Sequence, residues 1–165
     1  AGSEDAFRRV LDADGVPASV RICAGGKERQ HSVLAGLNQL PADVTVVAIQ
    51  DAARPFTSLE LLKRCVASAR QRGSGVAARR VTDTVKIAKL DGEVVKTPDR
   101  ALLWAAETPQ VFIRAEIESA YARLALSCER VTDDAQAVEL AGGMVYLVEH
   151  DEDNRKITFA GDLGV

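Results

Sequence analysis

Short apolar runs alternate along this chain with stretches whose apolar residues recur at helical spacing, and few architectures accept that order. Residues 19–23 (SVRIC) read as a strand closed by Ala24-Gly25-Gly26. Residues 27–40 then place Val33, Leu34, Leu37 and Leu40 on one side of a helix that Pro41 stops. Residues 45–49 (TVVAI) are continuous and largely β-branched, the pattern of a strand buried on both faces, and the run ends abruptly at Gln50-Asp51. Residues 58–72 carry Leu59, Leu62, Val66 and Ala69 on one face, close at Gly73 and Gly75, and give way to a strand over 76–81. Strands alternating with helices predict an α/β protein in three layers, a mostly parallel sheet with helices on both faces.

Residues 82–98 break this rhythm. Val85 and Ile87 alternate with Lys86 and Lys89, Asp91-Gly92 follows, and Val94, Val95 and Lys96 resume the run. Asp-Gly between alternating runs predicts a β-hairpin, and an isolated hairpin is marginal in water, so residues 82–98 are expected to lie on a second subunit or on their own domain. Further on, residues 101–106 fit either a strand or a helix, Thr108-Pro109-Gln110 reads as a turn, and 115–126 as a helix. Thr132-Asp133-Asp134 supplies a cap and first-turn carboxylates for a helix to about Ala141, closed by Gly142-Gly143. Residues 145–148 are a last strand, leading into 151–156.

The chain has 165 residues, 47% of them hydrophobic, which suits a single domain over 1–165 able to bury a core without disulfides or a structural metal. A net charge of -3 with 4% aromatic residues excludes a broad basic surface with stacking rings, so no nucleic-acid partner is expected. Cys23, Cys65 and Cys128 are far apart and form no CxxC pair, which points to reduced, structural thiols. No apolar run approaches the ~20 residues of a membrane span and no basic-then-apolar leader opens the chain. The expectation is a soluble bacterial cytoplasmic protein without a membrane partner, or a plastid one after processing.

In open α/β sheets ligands bind at the carboxyl ends of strands, and that rule selects residues. Gly25-Gly26 lead into Lys27, Glu28 and Arg29, where backbone N–H groups and a guanidinium can face one anion; a simple tight turn accounts for the glycines equally. Ser32 lies one turn further in. Asp51 sits where a strand leaves the sheet, with Arg54 three residues on and Pro55 preventing a regular continuation. A carboxylate there can hold Mg²⁺ beside phosphates and the arginine can fork onto a phosphate, against the plainer reading of an Asp51–Arg54 turn pair. Thr84 with Lys86, Asp99 with Arg100, Thr108, Thr132 and Lys156 stand at element ends. Singly each is a cap or a solvated charge, and together they make a phosphate-binding set. His31 and His150, the only histidines, have no serine or cysteine arrangement around them that suggests a triad, and no HExxH, CxxC, EF-hand or Walker pattern occurs.

Six motifs in order carry a family resemblance: GGKERQHSVLAGL (25–37), DAARPF (51–56), DTVK (83–86), TPQVF (108–112), TDDA (132–135) and EDNRKIT (152–158). From about Ser19 to Leu163 the chain resembles the 2-C-methyl-D-erythritol 4-phosphate cytidylyltransferases. The resemblance implies a Rossmann-like nucleotidyltransferase fold with a hairpin arm and cytidylyl transfer from CTP to a sugar-alcohol phosphate, releasing pyrophosphate, in isoprenoid precursor synthesis. It implies Gly26, Lys27 and Ser32 at the cytidine end with Arg29 supporting that loop, Asp51 on Mg²⁺ and Ala52 at the nucleotide. Arg54, Thr108, Thr132 and Lys156 would hold the alcohol's phosphate. Thr84 and Arg100, on the arm, would complete the neighbouring subunit's pocket in a homodimer, and Arg100 and Lys156 would position the nucleophilic phosphate.

The family's opening strand, glycine-rich loop and following lysine have no match before Ser19, so the expectation is a domain lacking that strand-loop-helix unit. Gln50 stands where a histidine is common. The alternatives are a ribitol 5-phosphate cytidylyltransferase and an inert CTP-binding or dimerisation fragment.

Overall fold

The computed structural model describes residues 4–15, 17, 19–127 and 129–163. Its helices are α1 (Glu4–Ala13), α2 (Arg29–Leu37), α3 (Leu59–Arg72), α4 (Arg114–Ser127) and α5 (Asp134–Leu140). Its strands are β1 (Val46–Ile49), β2 (Ser74–Arg80), β3 (Ile87–Ala88), β4 (Val94–Lys96), β5 (Trp104–Ile113) and β6 (Leu147–Glu149). They gather into two units, one of Ala1–Thr45 with Arg114–Gly143 and one of Val46–Ile113 with Met144–Val165.

The second unit holds the central sheet, in the order β1-β5-β2-β6. β2 and β6 pair in parallel, and β5 runs against both β1 and β2, so β1, β2 and β6 share one direction. Helix α3 covers it because its sequence is built to start, stop and pack there. Ser58 caps it by accepting the Leu61 N–H, Glu60 lies in the first turn and Arg70 and Arg72 in the last, each complementing the helix dipole. Gly73, at φ 93, ends it in a conformation that side chains disfavour. Leu61, Cys65 and Ala69 then pack on Ala77, Val111 and Val148 as one core. A fully buried leucine such as Leu61 contributes about 1.5–3 kcal/mol. Gly75 lets β2 lie this close, since a Cβ there would stand 2.2 Å from the Cys65 carbonyl oxygen.

Three expectations are corrected in this fold. Residues 20–23 form no strand: the segment is largely exposed, and among the described residues no neighbour supplies the ladder that a β-branched sequence needs. β1 is not buried on both faces, because it lies at the sheet edge with Val47 buried and Ala48 exposed. Thr108-Pro109-Gln110 is no turn but the middle of β5. The register passes from Val76↔Gln110 to Ala78↔Ala106, so β5 bulges there, and a bulge accommodates a proline that cannot donate to the ladder. The ambiguous stretch before it resolves into a 3₁₀ turn (Arg100–Leu102) and the start of β5.

The Asp91-Gly92 hairpin forms, with Ile87 opposite Lys96, Ala88 opposite Val94, and Gly92 at φ 90. Its Leu90, Val94 and Val95 are exposed. In the first unit α4 buries Ile117, Ala120, Tyr121 and Leu124, and α5 buries Ala135, Ala137 and Val138. Asp133 caps α5 by accepting the Gln136 N–H. No helix among the described residues is long and apolar enough to cross a membrane.

Cys65 is buried, Cys23 is exposed, and Cys128 lies outside the described residues. Burial pushes the Cys65 thiol up to about 11, against the opposing pull of the Arg64 charge. Iodoacetamide at pH 8 is therefore expected to label Cys23 in the folded protein and Cys65 only after denaturation, as read by peptide mass mapping. The folded protein holds this proton more tightly than the unfolded chain, so Cys65's contribution to stability is full below the ordinary thiol range. It is lost as pH rises from there toward 11.

Candidate active site

In the second unit the chain leaves β1 at Gln50, and the loop 51–56 folds against two other segments. The Asp51 N–H donates to Thr108 Oγ1 at 3.0 Å, so the bulge of β5 delivers the threonine hydroxyl to the end of β1. Asp51 Oδ2 accepts from Lys156 Nζ at 3.1 Å, and these side chains are 20% and 49% exposed. The Ile157 N–H donates to the Ala53 carbonyl at 2.7 Å, and the Arg155 guanidinium lies 4.9 Å over the Phe56 ring. Asp51, Thr108 and Lys156 thus meet at one edge of the sheet, with Ala52 exposed in the turn between Asp51 and Arg54.

Beneath this edge lies a buried polar cluster that sequence reasoning missed. The Glu107 carboxylate accepts from Arg79 Nε at 2.9 Å and from Asn154 Nδ2 at 2.8 Å. Arg54 Nη1 stands 3.3 Å from it and also donates to the Asn154 carbonyl at 2.6 Å. Asn154 Nδ2 donates in addition to the Thr108 carbonyl at 2.8 Å, and Asn154 Oδ1 accepts from Thr57 Oγ1 at 2.6 Å. His150 is buried with Nε2 3.3 Å from Glu107, and neither ring nitrogen has a hydrogen-bond partner. The signal available in the sequence was a glutamate inside the otherwise uncharged run of β5, since a buried carboxylate requires partners.

Arg100 and Thr84 belong to the foot of the hairpin, where Arg100 Nη1 donates to the Thr82 carbonyl at 2.7 Å. Both are exposed.

The first unit holds the remaining residues. The Gly26 N–H donates to Ser32 Oγ at 3.0 Å, and a Cβ at Gly26 would stand 2.2 Å from His31 Cβ, so the tight approach requires glycine. Lys27 is exposed and lines a cavity with Glu28, Gln30, His31 and Arg130. Arg29 Nη2 donates to Asp134 Oδ2 at 2.6 Å, and the Tyr121 hydroxyl donates to Asp134 Oδ1 at 2.5 Å. Burial and the Asp134 carboxylate hold the Tyr121 phenol far above its ordinary range. Thr132 leads into the capped start of α5, its N–H donating to Gln136 Oε1 at 2.7 Å.

Among the described residues no three His, Cys, Asp or Glu side chains gather as a metal cage. A lone carboxylate such as that of Asp51 can offer a divalent cation one or two oxygens, which suits a cation that takes few protein ligands rather than a closed cage.

The family model "IspD: 2-C-methyl-D-erythritol 4-phosphate cytidylyltransferase" matches residues 1–165. The chain belongs to this family. The bifunctional enzyme IspD/IspF of Anaeromyxobacter dehalogenans is 42% identical over 162 residues, which are 96% of this chain and 42% of that protein. The 2-C-methyl-D-erythritol 4-phosphate cytidylyltransferase of Synechococcus sp. is 40% identical over 164 residues, 99% of this chain and 71% of that one. The chain thus spans from under half to about seven tenths of the length of these two relatives. Among solved structures, the 4-diphosphocytidyl-2C-methyl-D-erythritol synthase of Anaerococcus prevotii superposes with TM-score 0.88 at 31% identity, covering 98% of this chain and 74% of that one. Membership of the family carries the fold expected from the sequence, a mixed α/β nucleotidyltransferase architecture whose sheet strands run mostly one way.

Proposed function

We propose that this chain carries out cytidylyl transfer from CTP to 2-C-methyl-D-erythritol 4-phosphate, giving the CDP-alcohol and pyrophosphate for isoprenoid precursor synthesis in a bacterial cytoplasm. An oxygen of the alcohol's phosphate attacks the α-phosphorus of CTP, and the bond to the β-phosphate breaks with loss of pyrophosphate. Little covalent work falls to the protein, so alignment and charge neutralisation carry the rate. The observation that carries this reading is the Asp51–Lys156 pair at 3.1 Å beside the Thr108 hydroxyl, an acid and a base held together at the end of a strand.

In this reading Lys156, Arg54 and Thr108 of the second unit receive the alcohol's phosphate and Ala52 meets the nucleotide, while the first unit supplies Gly26, Lys27 and Ser32 for the cytidine end and Thr132 as a further phosphate-binding hydroxyl. Arg29 supports the glycine loop through Asp134. Asp51 is the protein ligand to Mg²⁺, which supplies positive charge to the triphosphate. Thr84 and Arg100 serve the pocket of a second copy, with the exposed hairpin as the arm of a homodimer.

Pyrophosphate release is to be followed with CTP, Mg²⁺ and either alcohol phosphate, beside calorimetry of CTP binding. Turnover with methylerythritol phosphate above that with ribitol 5-phosphate is expected. Preference for ribitol phosphate, or CTP binding without release, would overturn the assignment.

A further inference from the structure

Glu107 lies in none of the positions that receive substrate in the reading above, yet it is the most heavily partnered carboxylate beneath them. We propose that Glu107 is a positioning residue for that site. Its buried carboxylate orients Arg54 and, through Asn154, locks the Thr108–Asp51 edge into the arrangement that receives the alcohol's phosphate. This inference rests on the function proposed above.

Two observations carry it. The first is how Arg54 is held. Its side chain is 12% exposed, and Nη1 donates to the Asn154 carbonyl at 2.6 Å and forms an ion pair with Glu107 Oε2 at 3.3 Å. Anchoring one corner of a rigid planar guanidinium fixes the direction of the whole group. Its Nε is buried without a hydrogen-bond partner, an unsatisfied donor that the fold retains next to the proposed phosphate position.

The second is the route from Glu107 to Asp51. Asn154 Nδ2 bridges Glu107 Oε2 and the Thr108 carbonyl, both at 2.8 Å. The hydroxyl of the same threonine accepts the Asp51 N–H at 3.0 Å. Asn154 cannot turn over without exchanging its amide for an acceptor, because Thr57 Oγ1 donates to Oδ1 at 2.6 Å. The carboxylate therefore sets the orientation of the asparagine, the asparagine sets the bulge, and the bulge sets Asp51. Arg79 Nε at 2.9 Å and the buried His150 ring at 3.3 Å complete the surroundings of Glu107.

Glu107→Gln keeps the shape of the side chain but removes its charge and turns one acceptor into a donor facing Arg79 or Asn154. With the alcohol phosphate varied, KM is expected to rise about tenfold or more, while KM for CTP changes less than about threefold. Glu107→Asp, which keeps the charge, is expected to recover part of the loss. Ser68→Ala serves as the structural control, since it removes a buried hydrogen bond from α3 to the Ser74 carbonyl at 2.7 Å. That variant is expected to lower the melting temperature without moving either KM. Should Glu107→Gln prove insoluble, Thr57→Val loosens Asn154 from its other side and is expected to move the same KM. A variant that loses melting temperature while keeping KM for the alcohol phosphate would reduce Glu107 to a structural role.

Amide exchange in the unliganded protein supplies a readout that needs no turnover. Exchange at Asp51 and Ile157 is expected to speed up about tenfold in Glu107→Gln, and unchanged exchange there overturns the proposal. A wild-type chain that neither turns over nor binds the alcohol phosphate refutes the function instead, and the exchange measurement then decides Glu107 alone.

Discussion

Lys156→Ala is expected to lower turnover by about 10²–10³-fold, the loss found when one preorganised charge is removed from a transition state. In the free protein the ammonium is held 3.1 Å from Asp51, so its position is fixed before substrate arrives. In the proposed reaction the attacking group is an anion approaching an anionic triphosphate, and a cation placed at their meeting point would lower the repulsion in the transition state more than in the separated reactants. The same substitution is expected to leave the melting temperature nearly unchanged. The pair is 49% and 20% exposed, and an ion pair so open to water contributes at most about 1 kcal/mol to stability. Steady-state kinetics with saturating CTP beside thermal unfolding separates the two effects, and a wild-type rate would remove Lys156 from the mechanism. Lys156→Arg is expected to recover only part of the rate, because a planar fork does not reproduce a compact point charge.

Asp134→Ala is expected to have the opposite profile, a large loss of stability at a residue that touches no proposed substrate. Asp134 is buried at the start of α5, with one carboxylate oxygen on Arg29 at 2.6 Å and the other on the Tyr121 hydroxyl at 2.5 Å. Truncation leaves a buried phenol without its acceptor and takes one carboxylate away from the Arg29 guanidinium. Breaking such a pair from one side costs about 2–4 kcal/mol, somewhat below the full buried-pair value because Arg29 is 35% exposed and can rehydrate. For a chain of this size each kcal/mol shifts the midpoint by roughly 2–4 °C, so a fall of about 4–16 °C is expected by circular dichroism. Asp134→Asn, which still offers Tyr121 an acceptor, is expected to lose less. A midpoint within about 1 °C of wild type for the alanine variant would mean that the neighbouring helices hold this corner without the carboxylate.

The helices and the hairpin were legible because their signals are local. Ser58 and Gly73 bracket α3, Asp133 opens α5, and Asp91-Gly92 turns the hairpin, each acting within a few residues of itself. The sheet was legible only in part. A β-branched run such as that at 20–23 becomes a strand when a neighbour offers a ladder, and a proline within a run becomes a bulge when the strands beside it tolerate one; neither condition is written in the run itself.

The site shows the same division. Asp51, Thr108 and Lys156 could be selected because each stands at or near the end of an apolar run or in a family motif. Glu107, Asn154 and His150 are not legible in this way because their meaning lies in partners distant in sequence, 46 and 47 positions away for Asn154 with Thr108 and Glu107. Asn154 stands inside the motif at 152–158 with no local signal that marks it out, and His150 has no nucleophile near it in sequence.

The alternation of the two units along the chain bears on when this site comes into being. Asp51 and Lys156 are 105 positions apart, and the chain lays down the whole of Arg114–Gly143, which belongs to the other unit, before it returns at Met144. On a ribosome, therefore, β1, α3, β2 and β5 are available early, while the edge they present stays open until the segment after β6 has emerged and closed over the loop at 51–56. Contacts this distant in sequence form late and slowly, and closing the long intervening segment carries an entropy cost that only the finished unit offsets. The Asp51–Lys156 pair is thus a late product of synthesis, withheld until the surrounding fold is in place.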